Sequence, residues 1–313
     1  MPIDRPPELE EPSFPEPDAE TLPPHQEMEL PPSYSTISPQ LQKQDFVLRY
    51  SEGKLEAFPS ERSMMTYEYA KKHARLGKNH PYFIRAKTFQ SQSVGLPLLI
   101  AERCKSLGFG EQPYLDLFTC KPIPMASDKV FVKGDERKSA QVLVKTFSTY
   151  RRYTIQLKSK KIVVFAHLNS PIVDLQIDRQ RFRFIKTLEM ADTSHRYLQH
   201  SYKIYLLDPL QPSLTDNIDS SSEVHENNPL LGNKKKGRLD EPPEVDEQPT
   251  YHSPYEYGCL KFSPLGLNRR CATLSLYSQA AQNFDSNNSV DFTSFTFVAV
   301  SLILQTLEED ALG

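Results

Sequence analysis

The 313-residue sequence contains no tryptophan, only 11 glycines against 26 prolines, and four cysteines. Each scarcity removes a class of function. Cys104, Cys120, Cys259 and Cys271 are far apart, with no Cys-x-x-Cys pair and no histidine at zinc-ligand spacing. A metal site and a disulfide framework are therefore both disfavoured. With so few glycines, phosphate-cradling loops are scarce, and there is no P-loop, no Gly-x-Gly-x-x-Gly and no Gly-x-Ser-x-Gly elbow. None of the eight histidines pairs recognisably with a nucleophile, so we expect no enzymatic activity and no cofactor. The start, Met-Pro-Ile-Asp-Arg-Pro-Pro, lacks an apolar signal region, and no apolar run reaches the roughly 20 residues of a membrane span. These absences predict a protein of the reducing cytoplasm, peripheral to membranes, with the nucleus as the alternative compartment.

The modest net charge of -3 is an average of opposites. Met1 to Gln40 holds eleven prolines, nine Asp/Glu, one Lys/Arg and no glycine. Such a segment cannot bury enough apolar surface to offset chain entropy, which predicts a disordered arm. Pro212 to Thr250 is a second acidic stretch, net -5, rich in Ser, Asn and Pro, and is expected to be a disordered insertion. Leu41 to Gln211 carries 29 basic against 16 acidic residues, a net of +13. A basic body between acidic segments points to an anionic partner, a phospholipid surface before nucleic acid. Nucleic acid is disfavoured because no groove-reading helix is recognisable.

After the arm, short β-branched and aromatic runs alternate with turn residues, the pattern of an all-β body over residues 41–313. Strands are expected at Phe46 to Tyr50, Leu55 to Ala57, Tyr82 to Phe89, Pro97 to Ala101, Tyr114 to Thr119 and Lys129 to Lys133. Five more follow in close succession: Gln141 to Phe147, Tyr153 to Leu157, Ile162 to His167, Ile172 to Ile177 and Arg181 to Lys186. Their connections are too short for parallel crossovers, so they form an antiparallel meander. Tyr197 to Leu207, Tyr257 to Phe262 and Cys271 to Tyr277 complete the set. Ser63 to Leu76 reads as the one early helix, stopped by Gly77. Phe295 to Leu307 is apolar on every face and ends in Glu308-Glu309-Asp310. Too short to span a bilayer, it predicts a helix enclosed by a closed antiparallel β-barrel of about twelve strands. The last buried strand of a sandwich is the alternative.

The order of these elements resembles the tubby C-terminal-like superfamily, which includes the phospholipid scramblases and the LURP-one-related proteins. The likeness rests on the paired strands around Val142 to Phe147 and Tyr153 to Leu157, the run Ile172 to Phe184, and the closing helix Phe295 to Leu307. It implies a twelve-stranded barrel around a central helix and, for some members, phosphoinositide or membrane binding through basic side chains. Neither a calcium-binding loop nor a palmitoylated cysteine cluster of the scramblase kind is present.

Three motifs carry partner chemistry. Leu30-Pro31-Pro32-Ser33-Tyr34 is a Pro-Pro-x-Tyr sequence. Its prolines, preset in polyproline II form, fit the aromatic groove of a WW domain, and Tyr34 fits the adjoining pocket. A WW-containing ubiquitin ligase is the expected partner. Glu226-Asn-Asn-Pro-Leu230-Leu231 matches an acidic dileucine signal. Candidate anionic-lipid contacts are Arg151, Arg152, Lys158, Lys160 and Lys161, then Arg179, Arg181, Arg183 and Lys186. Because Arg181 and Arg183 alternate with Phe182 and Phe184, period two is expected to put the rings in the core and both guanidiniums toward solvent, where a phosphate would bridge them. The reading is a non-enzymatic adaptor, recruiting a WW protein to a membrane. An arrestin-like adaptor of two sandwiches and a transcriptional regulator are its rivals.

Overall fold

The structure is a computed structural model. It describes residues 42–73, 76, 78–92, 95–105, 110–120, 137–190, 198–216, 218, 223–225, 227–231, 256–263, 272–278 and 291–312. Twelve strands appear in it: β1 (Gln42–Ser51), β2 (Lys54–Phe58), β3 (Leu99–Arg103), β4 (Gln112–Thr119), β5 (Arg137–Thr146), β6 (Tyr150–Leu157), β7 (Lys161–His167), β8 (Ile172–Ile177), β9 (Gln180–Met190), β10 (Leu198–Leu206), β11 (Glu256–Phe262) and β12 (Ala272–Ser278). Three helices accompany them: α1 (Glu61–His73), α2 (Pro81–Ser91) and α3 (Phe292–Leu312).

Each strand pairs antiparallel with its sequence neighbours, and β1 pairs with β12 to close the barrel. Closure removes the exposed edges that an open sheet would present. Alternate residues point inward, as period two requires. Phe46, Leu48, Tyr153, Ile155, Phe182, Phe184, Leu260 and Leu274 all join the central core. That core is filled by α3. Phe297, Val298, Ala299, Val300, Leu302, Ile303 and Leu304 are all buried against the strands. The Phe297 ring meets Phe182 edge-on at 5.1 Å and stacks on Tyr257 at 5.2 Å. Burying a side chain of this size contributes roughly 1.5–3 kcal/mol, so a helix apolar on all sides is stabilised only by complete enclosure.

Helix α3 begins earlier than its apolar run. Asp291 caps it, accepting from Ser294 N at 2.6 Å, and its last two turns carry Glu308, Glu309 and Asp310. No helix among the described residues is long and apolar enough to cross a membrane. The closed barrel around its terminal helix is as expected, and it rules out the rival two-sandwich arrangement and the final-strand alternative for residues 295–307.

Helix α1 lies against the outer face of β1 and β2, with Val47, Phe58, Met64 and Tyr67 forming a small outer core. Buried Arg49 ties the layers together through ion pairs with Glu56 and Glu68, and its guanidinium stands over the Phe58 and Tyr67 rings. The expected strand at residues 82–89 is instead α2. Tyr82, Phe83 and Ile84 have strand-like side chains, but Pro81 is preorganised for a first helical turn and Ile84 N donates to His80 O at 3.1 Å. The buried residues Phe83 and Ala86 are three apart, a helical spacing, and pack on Ala70 of α1. The expected strand at residues 129–133 lies outside the described residues.

Part of the acidic insertion also departs from expectation. Residues 212–216, 218, 223–225 and 227–231 lie on the barrel instead of leaving it as a disordered loop, forming a strap over the outer face of β6 to β9. Leu214 and Val224 cover Tyr150 and Phe165, the apolar residues on the outward faces of β6 and β7. Outward Tyr and Phe would otherwise be exposed, and the strap buries them.

Candidate functional site

The basic residues separate into three groups. Outward from β9, Arg183 is completely buried. Its Nε and Nη2 donate to the two carboxylate oxygens of Asp174 at 2.7 and 2.8 Å, and Nη2 also donates to Pro212 O at 2.8 Å. Asp174, equally buried, accepts in addition from Ser213 Oγ and from Leu214 N. Arg181 donates to Asp216 Oδ1 and to Asp208 O, each at 2.6 Å. Both guanidiniums thus face out of the barrel; the strap seals Arg183 from solvent completely and leaves Arg181 partly exposed at its edge, with donors taken by Asp216 and Asp208. The expected phosphate bridge between Arg181 and Arg183 is overturned: their donors serve to hold residues 208–216. The inward placement of Phe182 and Phe184 is as expected.

Arg152 is likewise enclosed, 5% exposed, donating to Glu111 at 2.9 Å with Phe147 under its guanidinium. Arg151 is half-buried on the inward face beside Tyr153, and at the same mouth Lys186 donates to both oxygens of Glu308 at 2.7 and 2.8 Å. Arg152 is closed off from an outside surface, and the partly exposed Lys186 is engaged by the carboxylate of α3.

The remaining four gather at one end. Lys158, Lys160 and Lys161 lie in and beside the β6–β7 turn, Arg179 forms part of the β8–β9 turn, and all four are exposed. In an antiparallel barrel alternate turns share an end, and the two tips meet where Lys160 Nζ lies 4.0 Å from Asp178. Strand β1 and helix α3 both begin at this rim, and Lys160 Nζ lies 4.0 Å from the Phe292 ring centroid. The β8–β9 turn is two residues long, with Ile177 paired to Gln180, and both of its residues have positive φ, 44° at Asp178 and 71° at Arg179. Glycine or asparagine suits such a turn; an arginine there costs energy.

Beside this tip a groove of about 690 Å³ is lined by Gln176, Arg179, Gln180, Arg181, Leu207 and Pro209, among others. The chain that borders it is fixed: Leu207 N donates to Arg181 O, and residues 208–211 form a hydrogen-bonded turn. At its crest Leu210 is 94% exposed. Leu210 has no place in any strand or helix pattern, so sequence periodicity gives no signal for it. The one readable cue is Asp208-Pro209, a turn start.

At the opposite mouth the acidic end of α3 is clamped. Arg103 meets Glu309 and Asp310 at 3.2 and 2.5 Å, Tyr114 donates to Asp310 and Tyr202 to Glu308. Burial pushes the Tyr114 and Tyr202 phenols well above the usual range, reinforced by Tyr153 and then Asp310 beside Tyr114 and by Glu308 beside Tyr202. Burial pushes Tyr153 up to about 12, against the opposing pull of Arg151.

The dileucine pair is partly covered by the barrel. Leu230 and Leu231 sit in a single 3-10 turn packed against the Tyr150 and Phe165 cluster, and Leu230 O accepts from His167 Nε2 at 2.9 Å. An endocytic signal must lie open to its adaptor, whereas these side chains are half-buried by the barrel. Glu226 and the motif residues Leu30, Pro31, Pro32 and Tyr34 lie outside the described residues. No group of three or more His, Cys, Asp or Glu among the described residues is placed to hold a metal ion.

Comparison with curated proteins and with solved structures finds no match. The model of the DIA1 family, in contrast, aligns with residues 46–311, from the first inward phenylalanine of β1 to the end of α3. That span takes in β2 to β12, the greater part of β1 and nearly all of the central helix, and the chain belongs to the DIA1 family.

Proposed function

We propose that this protein is a non-enzymatic, cytoplasmic adaptor that holds a WW-domain protein, of the ubiquitin-ligase class, against an anionic membrane surface. The observation that carries the reading is the gathering of Lys158, Lys160, Lys161 and Arg179 on two adjacent hairpin tips at one rim. Each base near an anionic leaflet contributes about 1 kcal/mol, so four act together where one would not hold. The resemblance to tubby-like barrels, some of which bind phosphoinositides, supports the same class of ligand. The Pro-Pro-x-Tyr sequence ending at Tyr34 supplies the second contact, its prolines preset for a WW groove.

Sedimentation with vesicles tests the first contact. The full chain binds vesicles containing phosphatidylserine or phosphoinositide and not neutral ones, and binding weakens as salt rises. The Lys158→Glu/Lys160→Glu chain loses at least about tenfold, since two attractions become repulsions. Unchanged binding by that chain refutes the rim. Capture by isolated WW domains tests the second: Tyr34→Ala abolishes it, and retention of capture refutes the arm as the ligand.

A further inference from the structure

We propose that Leu210 is an apolar foot of the basic rim, inserting at the headgroup–acyl boundary of an anionic bilayer while the neighbouring bases meet the phosphates. The inference rests on the membrane reading above and adds a second mode of contact to it. It begins from a contradiction. A leucine 94% exposed gains nothing from folding, yet the turn that carries it is held by several hydrogen bonds.

The turn is Asp208-Pro209-Leu210-Gln211. Gln211 N donates to Asp208 O at 3.0 Å, closing the four-residue turn, and Pro209 occupies its second position, where a fixed φ is favourable. The Asp208 side chain accepts from Leu210 N at 2.9 Å, and Asp208 O also accepts from Arg181 Nη2 at 2.6 Å. Leu207 N donates to Arg181 O at 2.9 Å, which docks the preceding residue on β9. Leu210 is thus presented outward on a fixed support, so insertion costs little additional ordering.

The surroundings identify the occupant. Pro209, Arg179 and Arg181 line one groove, and Arg179 adjoins Asp178, which lies 4.0 Å from Lys160. The nearby acids are engaged: Asp208 with Leu210 N, Asp216 with Arg181 and with Ser213 N, and Asp178 toward Lys160. Lys158, Lys160, Lys161, Arg179 and Arg181 stand against Asp178, Asp208 and Asp216, so the two tips and the turn beside them carry more positive than negative charge. A single apolar side chain rising among bases complements an anionic interface, where the apolar part sinks a few ångströms and the cations remain with the headgroups.

The absence of tryptophan makes the test direct, because Leu210→Trp gives the full chain its sole indole. Vesicles of phosphatidylcholine with one-third phosphatidylserine are the probe. The Leu210→Trp chain is expected to shift its emission to the blue on adding them, and bilayer lipids brominated near the headgroup end of their chains quench it. The Leu210→Ser chain, whose fold is checked by its unfolding midpoint, loses at least about tenfold in vesicle partitioning, the value of one buried leucine. If wild type binds these vesicles while Leu210→Ser binds equally and the indole emission does not move, the foot is refuted and the basic rim stands. If wild type does not bind, both fall.

Discussion

Asp174 shows how one side chain decides what its neighbours are for. Fully buried, it receives Arg183, Ser213 Oγ and Leu214 N, so β8, β9 and the strap all terminate on one carboxylate. Removing one partner of a buried ion pair leaves an uncompensated charge, which costs about 3–5 kcal/mol, while replacing both partners by apolar groups of similar volume is far milder. Asp174→Ala is therefore expected to lose that amount in urea unfolding, and Asp174→Leu/Arg183→Met to recover only part of it, because Ser213 Oγ and Leu214 N still lose their acceptor. Equal stability of the single variant and wild type would contradict the role given to the pair. The same residue explains what was legible in the sequence. Alternation of Arg181 and Arg183 with Phe182 and Phe184 sufficed to say which side chains face the core. Whether the arginines meet solvent depended on Asp174, nine positions before Arg183, and on a strap about thirty residues beyond it. No local pattern encodes that pairing.

At the level of elements, hairpins and the closing helix were readable because their signals are local. The short turns between β5 and β9 force antiparallel neighbours, and a run such as Phe297 to Leu304 has no polar face to offer solvent. Helix α2 was not readable, since Tyr82, Phe83 and Ile84 carry strand propensity and only the packing of Phe83 and Ala86 on Ala70 settles the period. The β8–β9 turn carries its own prediction. Arg179 at φ 71° pays for a left-handed conformation that glycine adopts without steric cost. Arg179→Gly is expected to raise stability by about 1 kcal/mol, a melting shift of roughly 2–4 °C, while weakening vesicle binding. A residue retained only for the fold would not show opposite signs in the two measurements. Loss of both stability and binding would contradict the argument that the tip is strained for the sake of its charge.

Across the whole molecule, the barrel holds its helix by apolar enclosure along the length and by a polar clamp at the far mouth. Carboxylates at a helix C-terminus oppose the helix dipole, so Glu308, Glu309 and Asp310 destabilise α3 unless cations answer them. Arg103 and Lys186 do so, and Tyr114 and Tyr202 add hydrogen bonds from the barrel wall. The clamp has a pH dependence whose sign follows from burial. Tyr114, Tyr153 and Tyr202 hold their protons more tightly folded than unfolded, Tyr153 up to about 12 against an ordinary value near 10. Groups raised in this way contribute stability that is complete below about pH 10 and is lost as pH rises above it, because only the unfolded chain then releases the protons. The urea midpoint is therefore expected to be flat, as far as these phenols are concerned, from neutrality to about pH 10 and to fall steeply by pH 12. Tyr202→Phe, which keeps the ring but has no proton to lose, should shallow that fall while costing the Glu308 hydrogen bond, about 1 kcal/mol, at pH 7. Phenol ionisation near 10 with no loss of stability would place these rings in solvent and break the account of the clamp.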